Sequence, residues 1–124
     1  VSPIVKAAWM ILAFAVAVGA IGVVGLLRDE DGSADFEIAR TAGGWEPSTL
    51  TVERGSTVLF VNESADGAWP ASDVHPTHEL YPGFDAQRGV PPGQSWSYTF
   101  ERAGRWGYHD HLSPETTGVV EVRE

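Results

Sequence analysis

The four histidines of this 124-residue chain fall in two close pairs, His75-Pro76-Thr77-His78 and His109-Asp110-His111. Neutral imidazole is the commonest protein ligand for metals, and two pairs carried in from separate parts of a fold can build a site without any thiol. The second pair holds a carboxylate between its imidazoles, so His75, His78, His109, His111 and Asp110 make up the candidate ligand set. A lone histidine would read as a loop residue or an imidazole satisfied by its neighbours; four in two pairs, with none elsewhere, point to a metal. Asp73, Glu79 and Glu115 are candidate oxygen ligands, or partners that fix the tautomer of an imidazole. A nitrogen-rich set favours copper(II) above the other divalent first-row ions, with zinc second.

Composition narrows the chemistry further. There is no cysteine, which excludes disulfides, cysteine-ligated zinc, thiol catalysis and thiolate-bound copper. The single methionine, Met10, lies in an apolar segment remote from the histidines. All seventeen acids follow Arg28, and residues 29–124 carry 17 acids against 6 bases, a net charge of −11. Such a domain repels phosphate backbones, which argues against a nucleic-acid partner, and it suits a cation or a basic protein surface. Ser113 stands near His111, but that is a common loop arrangement and no oxyanion loop is recognisable, so hydrolysis by a triad has little support and no residue is assigned as catalytic.

The elements that must position these residues are short strands. Phe36–Arg40 alternates, Leu50–Val52 follows Trp45-Glu46-Pro47, and Thr57–Val61 is rich in the residues that strands prefer. Asn62 to Pro76 and Tyr81 to Gly93 read as loops, with His78-Glu79-Leu80 a short strand between them. The clearest alternation puts Trp96, Tyr98 and Phe100 on one face and Ser95, Ser97 and Thr99 on the other. Trp106-Gly107-Tyr108 and Val119–Val122 complete about seven strands, the pattern of an antiparallel sandwich or barrel with an aromatic core. Side chains on a strand alternate faces. Either His109 and His111 share one side with Asp110 on the other, or the strand has ended and a loop lets all three converge.

Ahead of this domain, Ala7 to Leu27 holds twenty-one residues without a charge between Lys6 and Arg28, long enough to cross a bilayer as one helix. A cleaved signal peptide is the competing reading, but a cut after Ala17 or Ala20 would leave an apolar end. The expected organisation is a transmembrane anchor over residues 1–28, an acidic linker over 29–35 and one domain over 36–124. The charge balance across the helix places that domain outside the cytoplasm, facing the periplasm or the cell exterior.

The run Trp45-Glu46-Pro47, Leu50-Thr51-Val52, Gly55, Val58–Asn62, Pro92-Gly93, Phe100, Gly104–Tyr108 and Gly118–Val122 resembles a cupredoxin over residues 36–122. The resemblance implies an all-β Greek-key sandwich with its metal loops at one end. Counting six residues from Gly104, it puts Asp110 where blue-copper members carry the ligand cysteine. Val90–Phe100 and Ala103–Leu112 are also similar to a multicopper oxidase domain, in which a tyrosine precedes a histidine–X–histidine that binds copper. That similarity implies His109 and His111 as ligands; the upstream pair, with two residues between its histidines, departs from the one-residue spacing expected there.

These observations leave three readings. The first is a membrane-anchored copper-binding protein that acquires, buffers or delivers copper outside the cytoplasm. The second is a redox or electron-transfer component, or one subunit of an oligomeric oxidase. The third is a metal-free sandwich that binds a protein partner. The enzyme reading stands below the first, because the thiolate copper that admits electrons is missing.

Overall fold

The computed structural model describes residues 34–124, which form eight strands: β1 Phe36–Thr41, β2 Gly44–Glu46, β3 Thr49–Glu53, β4 Thr57–Asn62, β5 Pro70–Ser72, β6 Ser95–Thr99, β7 Gly104–Asp110 and β8 Ser113–Arg123. The expected transmembrane segment and most of the acidic linker lie outside the described residues. Four strands make a first sheet in the order β2-β1-β4-β6, and four make a second in the order β3-β8-β7-β5. The architecture is the all-β sandwich expected of the sequence. Its pairing is not wholly antiparallel, because β1 runs parallel to β4 and β3 parallel to β8. The chain crosses to the opposite sheet between β1–β2 and β4, and such an excursion lets sheet neighbours run in one direction where a hairpin would force them to oppose.

The facing sides of the two sheets enclose Ile38, Trp45, Val58, Phe60, Phe84, Phe100, Tyr108 and Val120, all buried. Phe60 meets Trp45 edge-on at 6.0 Å and Tyr108 at 5.6 Å, while Phe84 lies 4.9 Å from Phe100 and 5.3 Å from Tyr108. Edge-to-face packing of this kind adds about 0.5–1.5 kcal/mol per pair to the area that the rings bury. Trp96 and Trp106 are only half-buried and pack against the margin of this core.

Two departures from the sequence reading bear on the site. His78-Glu79-Leu80 is not a strand: His78 has φ +58° and its amide bonds the carbonyl of Val74 at 2.7 Å, so the chain turns there. Conversely, Pro70–Ser72 forms β5 inside the expected loop and pairs with Tyr108–Asp110 of β7. Proline is tolerated as the first residue of a strand, and the three residues form only a brief patch that carries too little periodicity to be read from sequence.

The loop between β5 and β6 is fixed from two sides. Asn62, itself buried, donates to the carbonyls of Asp66 and Val90 and accepts from the Ser64 amide and hydroxyl. Ser72 Oγ lies 2.9 Å from the carbonyl of His78 and accepts the amide of Tyr81 at 3.1 Å. Phe84 is the apolar anchor, fully buried one residue before Asp85. Phe84→Ala is expected to cost about 3–5 kcal/mol, the range for deleting a buried phenyl ring, measured as a fall in unfolding free energy during urea denaturation.

Candidate metal centre

The two-residue period of β7 sorts its C-terminal half onto two faces. Tyr108 points between the sheets into the aromatic core. Asp110 follows it to the same side, fully buried, where Oδ2 bonds Arg40 Nε of the first sheet at 2.9 Å. Its Oδ1 accepts the amides of Trp69 and Leu112, each at 3.0 Å. The Arg40 guanidinium in turn lies 5.8 Å from the centre of the Trp45 ring. Both carboxylate oxygens are therefore engaged, one in an ion pair and the other with two amides. Asp110, grouped on sequence with the histidines, is placed apart from them and locks the chain at the end of β7.

Gly107 and His109 take the opposite face, and both meet Asp73. A Cβ on Gly107 would come within 2.6 Å of Asp73 Oδ2, so the glycine leaves the room in which that carboxylate sits. Asp73 Oδ1 lies 2.9 Å from His109 Nδ1. The register of β7 on β8 shifts between His109 and Asp110, and the chain then brings His111 back to the side of His109, its amide on the carbonyl of Trp69 at 2.8 Å. Of the two arrangements open on sequence, the structure takes the first: both imidazoles on one side, the carboxylate on the other.

The turn after β5 supplies the third and fourth rings. His78 is buried, and its Nδ1 lies 2.9 Å from Asp85 Oδ2 while its Nε2 lies 3.1 Å from His111 Nδ1. The ligand atoms of His78, His109 and His111 all fall within 4.8 Å of one another. His75, exposed at the rim, has its ring centre 4.7 Å from that of His111 and 5.4 Å from that of His109. Thus all four histidines come together, three as a compact group and one above it. Glu79 and Glu115 are exposed, the latter bonded to Ser113 Oγ at 2.9 Å, and neither belongs to that group.

Hydrogen bonding assigns the tautomers. An ionised carboxylate only accepts, so His109 and His78 each donate from Nδ1, which in a neutral imidazole leaves the lone pair on Nε2. Burial pushes the Asp85 carboxyl up, but donors from Trp69, His78 and Gln87 outweigh it and hold the group below the ordinary aspartate range. His109 Nε2 is buried and has no hydrogen-bond partner among the described residues. A buried polar atom left unpaired costs about 1–3 kcal/mol, and a lone pair in that position beside two further imidazoles has the chemistry of a metal ligand. The donor set therefore fits a metal held by His78, His109 and His111, with His75 at the edge of that group. Trp69 belongs to the same assembly: its ring lies 4.3 Å from His111, and its Nε1 donates to Asp85 Oδ1 at 2.7 Å. Sequence reasoning named Asp73 and passed over Asp85 and Trp69, each one member of an abundant class in a loop, with no spacing to mark them.

No protein-family model matches the chain. It is 30% identical over 87 residues to a plastocyanin of Scenedesmus fuscus, a match spanning 64% of this chain and 86% of that protein. Among solved structures, a novel purple cupredoxin from Nitrosopumilus maritimus superposes with a TM-score of 0.61 at 21% identity, over 69% of this chain and 97% of that one. A reduced amicyanin variant does so with a TM-score of 0.63 at 23% identity, over 81% and 89%. The chain belongs to the cupredoxins. It holds an aspartate, ion-paired to an arginine, at the position to which the sequence resemblance assigns the thiolate, and its histidines gather on the other side of the same strand.

Desolvation, reinforced by His78, His75 and His109, holds the His111 imidazole below its ordinary value, with Asp85 opposing. A base depressed in the folded state binds fewer protons there than in the unfolded chain, so its contribution to stability is present above about pH 6.5 and is lost as pH falls through the folded value. Glu37 titrates in the same window with the opposite sign, pushed up to about 7 by burial and by Glu63. The informative quantity is therefore the difference between wild type and His111→Asn. Without metal, the wild type is expected to lose more melting temperature than the variant between pH 7.5 and pH 5.5, about the range around the free imidazole value, in thermal unfolding scans.

Proposed function

We propose that this chain is a copper-binding cupredoxin whose site is the histidine cluster, working in copper acquisition, buffering or delivery outside the cytoplasm. The observation that carries the reading is the convergence of His78, His109 and His111 around the buried, unpartnered Nε2 of His109. The all-nitrogen donor set favours copper(II), with zinc second. A family that includes a plastocyanin and structural neighbours such as a copper-containing nitrite reductase from Thermus scotoductus, matched over 22% of its length, supports copper in this fold. Copper held there would exchange one electron or pass to another ligand set, and His75, exposed beside three buried or half-buried rings, is the ligand an acceptor meets first.

Exposed Val74, Leu80 and Leu112 lie in the loops that bear the histidines or next to them in sequence. They favour a second reading in which the same site exchanges electrons with a protein partner.

Titration of the full chain with copper(II) at pH 7.5, followed by calorimetry and electron paramagnetic resonance, tests the assignment. One equivalent is expected to bind with nitrogen hyperfine structure and without an intense thiolate band in the visible spectrum. His109→Ala and His111→Ala should weaken binding most, His78→Ala next, and His75→Ala least, because His75 is exposed and stands outside the compact group of three. Four unchanged affinities would exclude the histidines, and tighter binding of zinc than of copper(II) would reassign the metal.

The anchor reading rests on Ala7 to Leu27. If that segment is an uncleaved helix, the protein stays with membranes through a carbonate wash, and protease added to intact spheroplasts removes the domain. Recovery of a shortened, soluble form would establish a signal peptide instead.

A further inference from the structure

Building on the copper reading, we propose that Asp73 and Asp85 are positioning residues that present His109 Nε2 and His78 Nε2 to the metal and, through their negative charge, bias the site toward copper(II) over copper(I). Asp73 Oδ1 engages His109 Nδ1 and Asp85 Oδ2 engages His78 Nδ1, both at 2.9 Å. Two of the three grouped imidazoles are thus hydrogen-bonded to a carboxylate on the nitrogen turned away from the cluster. Such a bond fixes ring orientation and raises the basicity of the coordinating nitrogen. The added charge is felt more strongly by a doubly charged cation than by a singly charged one, since the Coulomb energy scales with the charge of the ion.

Each carboxylate is held independently of the ring it serves. Asp73 sits in the space left by Gly107, where any Cβ would approach its Oδ2 to 2.6 Å, while its amide lies 3.1 Å from the carbonyl of Gly107 and its carbonyl accepts the amide of Leu80 at 2.7 Å. Asp85 receives Trp69 Nε1 at 2.7 Å and the Gln87 amide at 2.9 Å on Oδ1, which leaves Oδ2 for His78. Because Trp69 also lies against the ring of His111, this one carboxylate ties His78 and His111 together through a single indole.

The test measures copper(II) and copper(I) affinities of the full chain by competition with chelators specific for each oxidation state. Wild type is compared with Asp73→Asn, Asp85→Asn, Gly107→Ala and, as a charge control at the opposite end of the sheet, Glu53→Gln. Asparagine still accepts from Nδ1 through its carbonyl oxygen but carries no charge. Each Asp→Asn variant is expected to weaken copper(II) binding by about 10–100-fold and copper(I) binding much less, with nitrogen hyperfine structure retained. Every tenfold of that difference raises the reduction potential by about 59 mV for this one-electron couple. Gly107→Ala should reproduce the Asp73→Asn preference, and Glu53→Gln should match wild type. If one variant fails to fold, the other aspartate carries the test, since the two are held by different contacts, Asp73 by β7 and Asp85 by Trp69 and Gln87. Equal losses for both oxidation states, or no loss, with wild-type copper(II) bound at nitrogen, overturn this inference alone. A wild type that takes up no copper(II) at nitrogen overturns both it and the reading beneath it.

Discussion

Along β7 the two-residue period of a strand acts on Tyr108, His109 and Asp110 in succession, and the architecture of the site follows from it. Tyr108 must go into the core, because Trp45, Phe60 and Phe84 surround its ring. Asp110 then has to point between the sheets as well, where an ionised carboxylate would be prohibitive alone. Arg40 answers that charge from the opposite sheet, and the amides of Trp69 and Leu112 fill the remaining acceptor. Removing one member of such a buried pair typically costs about 3–5 kcal/mol, because the other is left uncompensated. The ion pair is therefore a clamp across the sandwich at the end where the histidines lie.

The same period sends His109 to the outer face, and this makes the site a surface-side assembly rather than a core cavity. Two stretches of the β5–β6 loop must come over it to supply the remaining groups. One is the turn Asp73 to Tyr81, pinned through Ser72 Oγ; the other carries Phe84 and Asp85, pinned by the buried phenyl ring. Burial and polarity meet within two consecutive residues there: Phe84 anchors the chain so that Asp85 can orient an imidazole. The arrangement gives each grouped histidine a distinct support, Asp73 for His109, Asp85 for His78 and the Trp69 indole for His111.

A cupredoxin without cysteine changes what its fold can offer a metal. In place of a soft thiolate it presents a group of imidazoles, two of them with the far nitrogen bonded to a carboxylate, a harder and more negative environment. The acidic balance of the domain, −11 over residues 29–124, acts in the same direction at longer range by attracting cations. Local and global electrostatics thus agree, the local part being far less screened by salt because His109 and His78 are buried.

Much of the fold was legible because its signals are local. The alternation of Ser95 to Phe100, the β-branched run of β4 and the turns at Gly55 and Gly93 each depend on residues adjacent in sequence, and β6, β4 and their connections stand where those signals put them. The histidine pairs were legible as a group for the same reason: type and spacing are properties of the chain. What the sequence could not determine was anything that required two distant segments to be placed together. Whether His78 lay on a strand or a turn was settled by its amide bonding back to Val74, and β5 exists because β7 is there to pair with it. That β7 still runs as a strand through Asp110 was settled by its pairing with β5, and the charge of Asp110 is answered by Arg40, seventy residues away. Asp85 and Trp69 gained their roles only when the loops closed over His109 and His111. Periodicity fixes which residues share a face; the partner that satisfies a buried charge or an imidazole nitrogen is chosen by tertiary contact, since hydrogen bonds of about 3 Å have no signature in the spacing of one strand.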